Sequence, residues 1–267
     1  MFNLNGRSVQ IERFPDETPR LNIAVESEEI RIEWLYEKDE EMILFFIVQH
    51  LREQYSVKRI TLYMPYIPHA RMDRIKNRQE VFTLKYFCDF INSLHFDRVL
   101  VRDAHSYVSL ALLRNIVSEP IEAALNRLAR QLLDPHKDIV FYPDEGSCKR
   151  YSEIIDFPCV FGMKKREWST GKITGFEVQG DLPPAPFNVL IIDDISSYGG
   201  TFLHAARKLK ELGAAKVYLY VTHCENTILK GELINSGLIE MIYTTKSIYS
   251  GEHPLIQMIG GIDHDEN

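Results

Sequence analysis

The sequence predicts an α/β fold with two domains, each built on a mainly parallel sheet flanked by helices. Three observations lead to this prediction. Apolar, β-branched runs alternate with amphipathic runs along most of the 267 residues, and 45% of the residues are hydrophobic, enough for a sizeable core. Several apolar runs show little alternation, as expected for strands that are covered on both faces of a parallel sheet. Regular alternation of strands and helices is typical of such sheets.

The individual elements follow from composition and spacing. Strands are predicted at 57–64, 98–103, 138–142, 187–193 and 216–223, and apolar residues at helical spacing predict helices at 40–54, 83–94, 122–133 and 201–213. A stretch rich in Gly, Pro and Lys at 162–186 predicts a hairpin with a mobile loop. A helix that ends near Asp134-Pro135, before a fresh strand, predicts a domain boundary close to residue 120, with domains 1–120 and 121–267.

Charge and cysteine usage exclude several classes of partner. The net charge is −7, so the chain lacks the basic surplus that binds nucleic acid or anionic membranes. The four cysteines show no CxxC spacing, which indicates a reduced cytoplasmic protein without structural zinc. The longest strongly apolar run, 42–48, is far shorter than the ~20 residues of a membrane span. The N-terminal residues show no apolar signal segment. We expect a cytoplasmic protein without nucleic-acid or membrane partners.

The segment VLIIDDISSYGGTF at 189–202 carries the sharpest chemical signal. A buried strand runs into two adjacent carboxylates, Asp193 and Asp194, and a small loop leads through Gly199 and Gly200 into an amphipathic helix. Glycines let backbone N–H groups converge on an anion at the positive end of a helix. The carboxylates would repel that anion, so they suit neutral hydroxyls, such as the diol of a ribose, or a metal. The alternative is a tight strand-to-helix turn with two solvated acids.

This segment resembles the phosphoribosyl pyrophosphate-binding motif of type I phosphoribosyltransferases and ribose-phosphate pyrophosphokinases. The resemblance implies phosphoribosyltransferase-like domains, with the two acids on the ribose hydroxyls and the loop on the 5-phosphate. The implied ribose-phosphate-binding residues are Asp193, Asp194, Ser196, Ser197, Tyr198, Gly199, Gly200 and Thr201.

A second segment, PYIPHARMDR at 65–74 followed by EVFTLK at 80–85, resembles the nucleotide segment of the pyrophosphokinases. Arg71 and Asp73 match the family pattern, and Met72 stands where the family has glutamine. The resemblance implies that these three residues bind ATP. The alternative is a charged loop after a strand.

Two further motifs imply the metal–nucleotide end of the site. RVLVRDAHS at 98–106 resembles the family strand that ends in Asp-Leu-His, and it places Asp103 and His105. FYPDEGSCKR at 141–150 resembles the family S-P-D-x-G-x-x-x-R and aligns Asp144 and Arg150. His105 is therefore expected to be catalytic and to contact ATP, and His105 and Asp144 are expected to contact the metal. A structural histidine and a helix-capping aspartate are the alternatives.

The basic pair Lys164 and Arg166 falls on the family's K-x-R, at the base of a flexible catalytic loop. Residues two apart on a strand point the same way and can clamp one polyphosphate, so both are candidate catalytic residues. A solvated basic patch is the alternative.

The N-terminal ERFPDE at 12–17 resembles the family's R-F-S-D-G-E, which reaches the ATP site of a neighbouring subunit. Phe14 and Asp16 align, whereas Thr18 stands where the family has its final glutamate. The resemblance implies that Phe14 and Asp16 bind ATP and that the protein is a homo-oligomer, a dimer or a hexamer.

The phosphate loop departs from the family pattern D-D-x-x-D-T-x-G-T, because Ser197 and Tyr198 replace Asp-Thr. The change alters the hydrogen bonding and the shape of the 5-phosphate pocket. A larger acceptor with the same ribose-5-phosphoryl end, such as ADP-ribose in NAD salvage, is therefore an alternative to ribose 5-phosphate. The chain is also shorter than typical members, which puts their allosteric machinery in doubt.

The resemblance as a whole implies a Mg²⁺-dependent pyrophosphokinase with its active site between the two domains. It would transfer the β,γ-diphosphoryl group of ATP to the anomeric hydroxyl of a ribose-5-phosphate moiety and release AMP. Two rival classes stay open. A phosphoribosyltransferase would keep 189–202 but would not need the ARMDR segment or the Lys164/Arg166 pair. A non-catalytic regulatory relative would be expected to lose His105 or the cations.

Overall fold

A computed structural model describes residues 1–166 and 173–260 of the chain, with the backbone alone for 164–166 and 173–176. The chain divides into two compact units, Met1–Pro120 and Ile121–Asn267. Each unit has its own sheet and its own buried core.

The first unit contains a sheet with the strand order β2-β1-β5-β6-β7-β8 and a separate β3–β4 hairpin. Strands β5 to β8 run parallel, whereas β1 and β2 extend the sheet antiparallel. The strands are β1 (Phe2–Leu4), β2 (Arg7–Ser8), β3 (Ile11–Arg13), β4 (Pro19–Leu21), β5 (Glu29–Trp34), β6 (Arg59–Tyr63), β7 (Arg98–Arg102) and β8 (Ile116–Glu119). The helices are α1 (Glu41–Tyr55), α2 (Thr83–Ser93) and α3 (Tyr107–Leu112).

The second unit contains a sheet with the order β11-β10-β9-β12-β13-β14-β15. All of its strands run parallel except β11, which is antiparallel to β10. The strands are β9 (Ile139–Tyr142), β10 (Cys159–Arg166), β11 (Ile173–Gln179), β12 (Phe187–Ser196), β13 (Ala214–Cys224), β14 (Met241–Thr245) and β15 (Ile256–Ile259). The helices are α4 (Glu122–Leu132), α5 (Glu145–Tyr151) and α6 (Gly200–Glu211), with 3-10 turns at Asn226–Lys230 and Leu233–Asn235.

Every strand and helix predicted from sequence spacing is present, and the predicted hairpin is formed by β10 and β11. The apolar runs became strands because both of their faces are covered: all four residues of β9 are buried, as are Val189, Leu190, Ile191 and Ile192 of β12. Helix α1 buries Ile43, Leu44, Ile47, Val48 and Leu51, which share one face at helical spacing.

Strand β12 extends further than predicted. It continues past Asp193 to Ser196, because β13 pairs with it as far as Ser196 opposite Cys224. The two adjacent acids therefore lie within the last residues of a central strand rather than in the loop after it.

Within the described residues, no helix combines the length and the apolar character needed to cross a membrane.

Candidate active site

The acid pair Asp193 and Asp194 lies near the carboxyl end of β12, in the middle of the second unit's sheet. Open α/β sheets bind their ligands at this end of the strands. Asp193 is half-buried, whereas Asp194 is only 4% exposed. Because a buried carboxylate is costly unless it is paired, the partners of these two side chains decide what the pair can do.

Helix α5 supplies those partners. Ser147 Oγ donates a hydrogen bond to Asp193 Oδ1 at 2.7 Å, and Arg150 Nη1 donates to Asp194 Oδ2 at 3.1 Å. The backbone N–H of Asp194 also donates to Asp193 Oδ1, at 3.0 Å. The pair is therefore held from a neighbouring helix. The sequence alone does not predict Ser147 as a site residue, and it aligns Arg150 with the family motif without predicting a role for it.

The surroundings of the pair make Asp193 harder to ionise than an ordinary aspartate. Burial and the adjacent Asp194 carboxylate raise the pKa of Asp193 well above its usual range, while the hydrogen bond from Ser147 acts in the opposite direction. A carboxylate in this position is an acceptor for neutral hydroxyl donors, and it repels phosphate. The acid pair thus suits the diol part of a sugar.

The predicted phosphate loop, Ser196 to Thr201, runs from the last residue of β12 into the first turn of α6. Gly199 caps α6 with a left-handed φ of 78°, and a Cβ at this position would lie 2.8 Å from Leu233 Cδ2. Glycine is therefore required there by both conformation and space. The first N–H groups of a helix have no partner within the helix, so the start of α6 can donate to an anion.

Two side chains of the phosphate loop face different surroundings. Tyr198 is 57% exposed. Ser197 Oγ donates to Glu225 Oε2 at 2.9 Å, and Glu225 directly follows β13. Glu225 lies 28 residues from Ser197 along the chain, and no sequence motif predicts its part in the site.

Asp144 is the N-cap of α5, and its Oδ1 accepts a hydrogen bond from the Ser147 N–H at 3.1 Å. The same oxygen lies 3.3 Å from Ser147 Oγ, whose single proton is donated to Asp193. This geometry agrees with the alternative interpretation of Asp144 as a helix-capping aspartate. Through Ser147, Asp144 is also connected to the acid pair Asp193 and Asp194. Within the described ranges, no three His, Cys, Asp or Glu side chains converge as a ready metal site.

The predicted cations Lys164 and Arg166 lie in β10, of which the backbone is described at these positions. Their side chains, and residues 167–172 beyond them, lie outside the described part of the chain. The roles of Lys164 and Arg166 stay predictions.

In the first unit, the predicted nucleotide segment forms the long connection between β6 and α2. Arg71 is exposed, and Met72 and Asp73 are half-buried. The N–H of Met72 donates to the His69 carbonyl at 2.9 Å, and Asp73 lies 3.8 Å from Arg74. The segment places a basic and an acidic group on an open surface of its unit.

His105 follows the end of β7 and is half-buried. The turn begins at Asp103, which has a left-handed φ of 43° and is buried, and Ser106 then caps α3 by accepting from the Val108 N–H. This strained turn brings His105 to the carboxyl edge of the first unit's sheet.

Phe14 and Asp16 lie in the turn of the β3–β4 hairpin and are both exposed. Thr18 donates to Asp16 through its hydroxyl at 2.6 Å and through its N–H at 3.1 Å, and these bonds lower the pKa of Asp16. Thr18, which departs from the family pattern, therefore stabilises the turn that presents Asp16.

Within the second unit the structure brings together Asp144, Ser147, Arg150, Asp193 and Asp194 by direct contacts. Arg71, Met72, Asp73, His105, Phe14 and Asp16 all belong to the first unit. How these two groups act together stays a prediction.

Comparison with known sequences finds relatives named ribose-phosphate pyrophosphokinase. The protein of Pyrococcus abyssi is 27% identical over 223 residues, which cover 81% of this chain and 76% of that protein. The protein of Bradyrhizobium diazoefficiens is 31% identical over 215 residues, covering 77% of this chain and 65% of that protein. No protein-family model matches the chain.

Among solved structures, the phosphoribosylpyrophosphate synthetase of Mycobacterium smegmatis matches with a TM-score of 0.76. The match covers 95% of this chain and 86% of that chain at 19% identity, so it shows the fold. The predicted α/β class with mainly parallel sheets flanked by helices is confirmed.

Proposed function

We propose that this chain, a divergent member of the ribose-phosphate pyrophosphokinase family, transfers the β,γ-diphosphoryl group of Mg-ATP to the anomeric hydroxyl of a ribose-5-phosphate moiety. The reaction releases AMP. Ribose 5-phosphate is the proposed acceptor and phosphoribosyl pyrophosphate the product. The single observation that carries the proposal is the acid pair, held by Ser147 and Arg150 directly ahead of a glycine-capped helix.

The acid pair would orient the ribose. Asp193 is the more accessible of the two carboxylates, so it is the proposed primary acceptor of the ring hydroxyls, with Asp194 fixed behind it by Arg150. The phosphate loop (Ser196 to Thr201) would hold the 5-phosphate through backbone N–H groups at the start of α6. Two anchors on one sugar fix the direction of the anomeric oxygen. Orientation of this kind supplies effective molarities of about 10⁵ M or more in well-aligned systems.

The first unit would supply the nucleotide end. Arg71, Met72, Asp73 and His105 are the proposed ATP contacts of that unit, and the exposed turn with Phe14 and Asp16 is proposed to serve a neighbouring subunit of a homo-oligomer. Lys164 and Arg166 would stabilise negative charge that develops on the transferring group.

The residues of the second unit fit the magnesium ion that ATP brings. Mg²⁺ prefers oxygen ligands and in such sites uses one or two carboxylates together with substrate phosphates. Asp144 offers a half-buried carboxylate beside the acid pair, and His105 is the proposed contact in the first unit. When bound, the ion would neutralise charge on the phosphate oxygens. Asp144 would orient that end of the substrate while it also caps α5.

The acceptor has an alternative, ADP-ribose, because the phosphate loop differs from the family pattern at two positions. Tyr198 is a residue of the loop, and its large ring is exposed, so it can stack on or flank a group attached to the 5-phosphate. The relatives named above are ribose-phosphate pyrophosphokinases, and for this reason ribose 5-phosphate comes first.

A cytoplasmic location is proposed with the reaction. The cysteines Cys88, Cys148, Cys159 and Cys224 are all free thiols, which suits a reducing compartment.

The test is AMP release from Mg-ATP, with ribose 5-phosphate and ADP-ribose offered separately and product masses recorded. Turnover with ribose 5-phosphate supports the main proposal, and turnover with ADP-ribose alone replaces the acceptor. Pyrophosphate release from phosphoribosyl pyrophosphate and a base, without use of ATP, would identify a phosphoribosyltransferase. Absence of activity in all of these assays would favour a non-catalytic binding protein. If replacing Ser197 and Tyr198 together leaves the preference between the two acceptors unchanged, these residues do not select the acceptor.

A further inference from the structure

The carboxylate of Glu225 ties the phosphate loop to the neighbouring strand. Its Oε2 accepts hydrogen bonds from Ser197 Oγ at 2.9 Å and from Thr227 Oγ1 at 3.1 Å. The Glu225 N–H donates to the Ser196 carbonyl at 2.8 Å. One residue at the end of β13 thus contacts both the backbone and a side chain of the loop.

The segment after Glu225 packs against the same loop. A Cβ on Gly231 would lie 1.9 Å from the Tyr198 carbonyl oxygen, so only glycine allows this approach. Leu233 fills the space beside Gly199, where an added Cβ would meet it at 2.8 Å. Residues 225–233 therefore form a brace along one side of the loop, and we call this segment the loop brace.

The contact explains how the loop tolerates its departure from the family pattern. That pattern carries an aspartate at the position of Ser197, whereas here the loop has a hydroxyl at that position and receives its carboxylate from Glu225. A hydroxyl has one proton to donate, and in this structure Ser197 donates it to Glu225. Ser197 is thereby used to fix the loop rather than to reach the anion.

We propose that Glu225 is a positioning residue of the phosphate-binding loop, and that the Ser197–Glu225 pair takes the place of a single carboxylate within the loop. This inference rests on the proposed function for the identity of the anion, a 5-phosphate on a ribose. By fixing Ser197 and the Ser196 carbonyl, Glu225 keeps the backbone N–H groups of the loop aimed at one point before the ligand arrives. Preorganisation of this kind improves binding, because less ordering is needed in the complex.

The test is a swap of the carboxylate between the two positions. Glu225→Ala removes the acceptor, and we expect the Kd for ribose 5-phosphate to rise about tenfold, the effect of one hydrogen bond to a charged group. Ser197→Asp alone places two carboxylates against each other, with an expected rise of similar size. The double variant, Ser197→Asp with Glu225→Ala, again has one carboxylate between the loop and the loop brace. We expect its Kd for ribose 5-phosphate to return to within about threefold of wild type.

Binding is measured by calorimetry with ribose 5-phosphate and with ADP-ribose, in the absence of ATP, and unfolding by urea is measured in parallel. Glu252→Gln is the matched control, since Glu252 is an exposed glutamate of the same unit that lies outside the loop brace. It should leave both Kd and stability unchanged. A purely structural Glu225 would lower stability in Glu225→Ala while leaving Kd where it was.

Recovery of Kd in the double variant supports the inference. Losses that add in the double variant, or an unchanged Kd in Glu225→Ala, overturn it. Absence of binding of both ligands by the wild-type protein also overturns it, because the loop would then hold no ribose phosphate. Binding without AMP release would overturn the proposed function alone and leave the positioning role of Glu225 intact.

Discussion

The acid-pair region of the second unit and the nucleotide segment of the first unit are built in different ways. The acids lie in a central strand and are held by hydrogen bonds from Ser147 and Arg150. The nucleotide segment is a long connection whose Arg71 is exposed, and the turn that carries Phe14 is exposed as well. One region is fixed before a ligand binds, and the other presents its groups to solvent.

The difference indicates a division of labour in the proposed reaction. Precise direction is needed at the ribose, because the attacking oxygen must meet the phosphorus in line. A nucleotide contact requires mainly charge, and an exposed arginine supplies it. Substitutions in the fixed region should therefore change turnover steeply, and those in the open region should chiefly weaken ATP binding.

The largest effect is expected for Asp193→Asn. The change keeps the size of the side chain but removes the carboxylate that would accept from the ribose hydroxyls, so kcat/KM for the acceptor should fall by about 10²–10³, the size expected for misplacement at the reacting centre. Steady-state AMP release measures it. Asp181→Asn, at an exposed position of the same unit, is the control and should retain wild-type kinetics. Equal activity of the Asp193→Asn and Asp181→Asn variants would show that Asp193 is not part of the active site.

A fall of about 10² in kcat is expected for Lys164→Ala, because the cation would act on charge that develops during transfer. Lys165→Ala, the next residue along β10, is the matched control. Single-turnover kinetics measure the chemical step, and circular dichroism checks folding, so the two together distinguish a loss of catalysis from misfolding. Near-full turnover of a folded Lys164→Ala protein would show that its assigned role is wrong.

Arg71→Ala should raise the KM for ATP about tenfold and change kcat little, since an exposed contact contributes mainly to ground-state binding. Arg78→Ala, which is exposed in the same connection, should change neither constant. Initial rates over a range of ATP concentrations give both numbers. A fall in kcat without a change in KM would place Arg71 in the chemical step and weaken the proposed division between the two regions.

The smallest effect is one of stability. The pKa of Asp193 is raised in the folded protein, so its protonated form favours folding, and this contribution is lost as the pH rises from the unfolded value through the raised one. At high pH, Asp193→Asn removes the free-energy cost of holding an ionised carboxylate at this position in the folded protein. Its Tm should exceed that of wild type by roughly 2–4 °C at pH 8, about 1 kcal/mol, and by less at pH 5. Differential scanning calorimetry without ligands measures this, and a pH-independent difference would contradict the buried, acid-paired environment.

Much of the fold is predictable because its signals are local. The runs 138–142 and 187–193 read as buried strands from their composition, and the structure places them side by side as β9 and β12. The acids and glycines of 189–202 are adjacent in sequence, so their position at one strand end follows from the motif itself.

The bracing contacts could not be predicted, because they join residues that are distant along the chain. Ser147 meets Asp193 over 46 residues, and Ser197 meets Glu225 over 28 residues, through the order of strands in the sheet. Neither serine nor glutamate carries a local pattern that marks such a contact. The predicted end of β12 at Asp193 is too early for the same reason, since the pairing of Ser196 depends on β13.

Phosphorus NMR of the protein incubated with Mg-ATP and ribose 5-phosphate tests the central claim most directly. We expect AMP in equal amount to a product with two coupled diphosphate resonances, attached through the anomeric oxygen. Formation of ADP with a ribose bisphosphate, or of AMP with free pyrophosphate, would contradict diphosphoryl transfer to this acceptor.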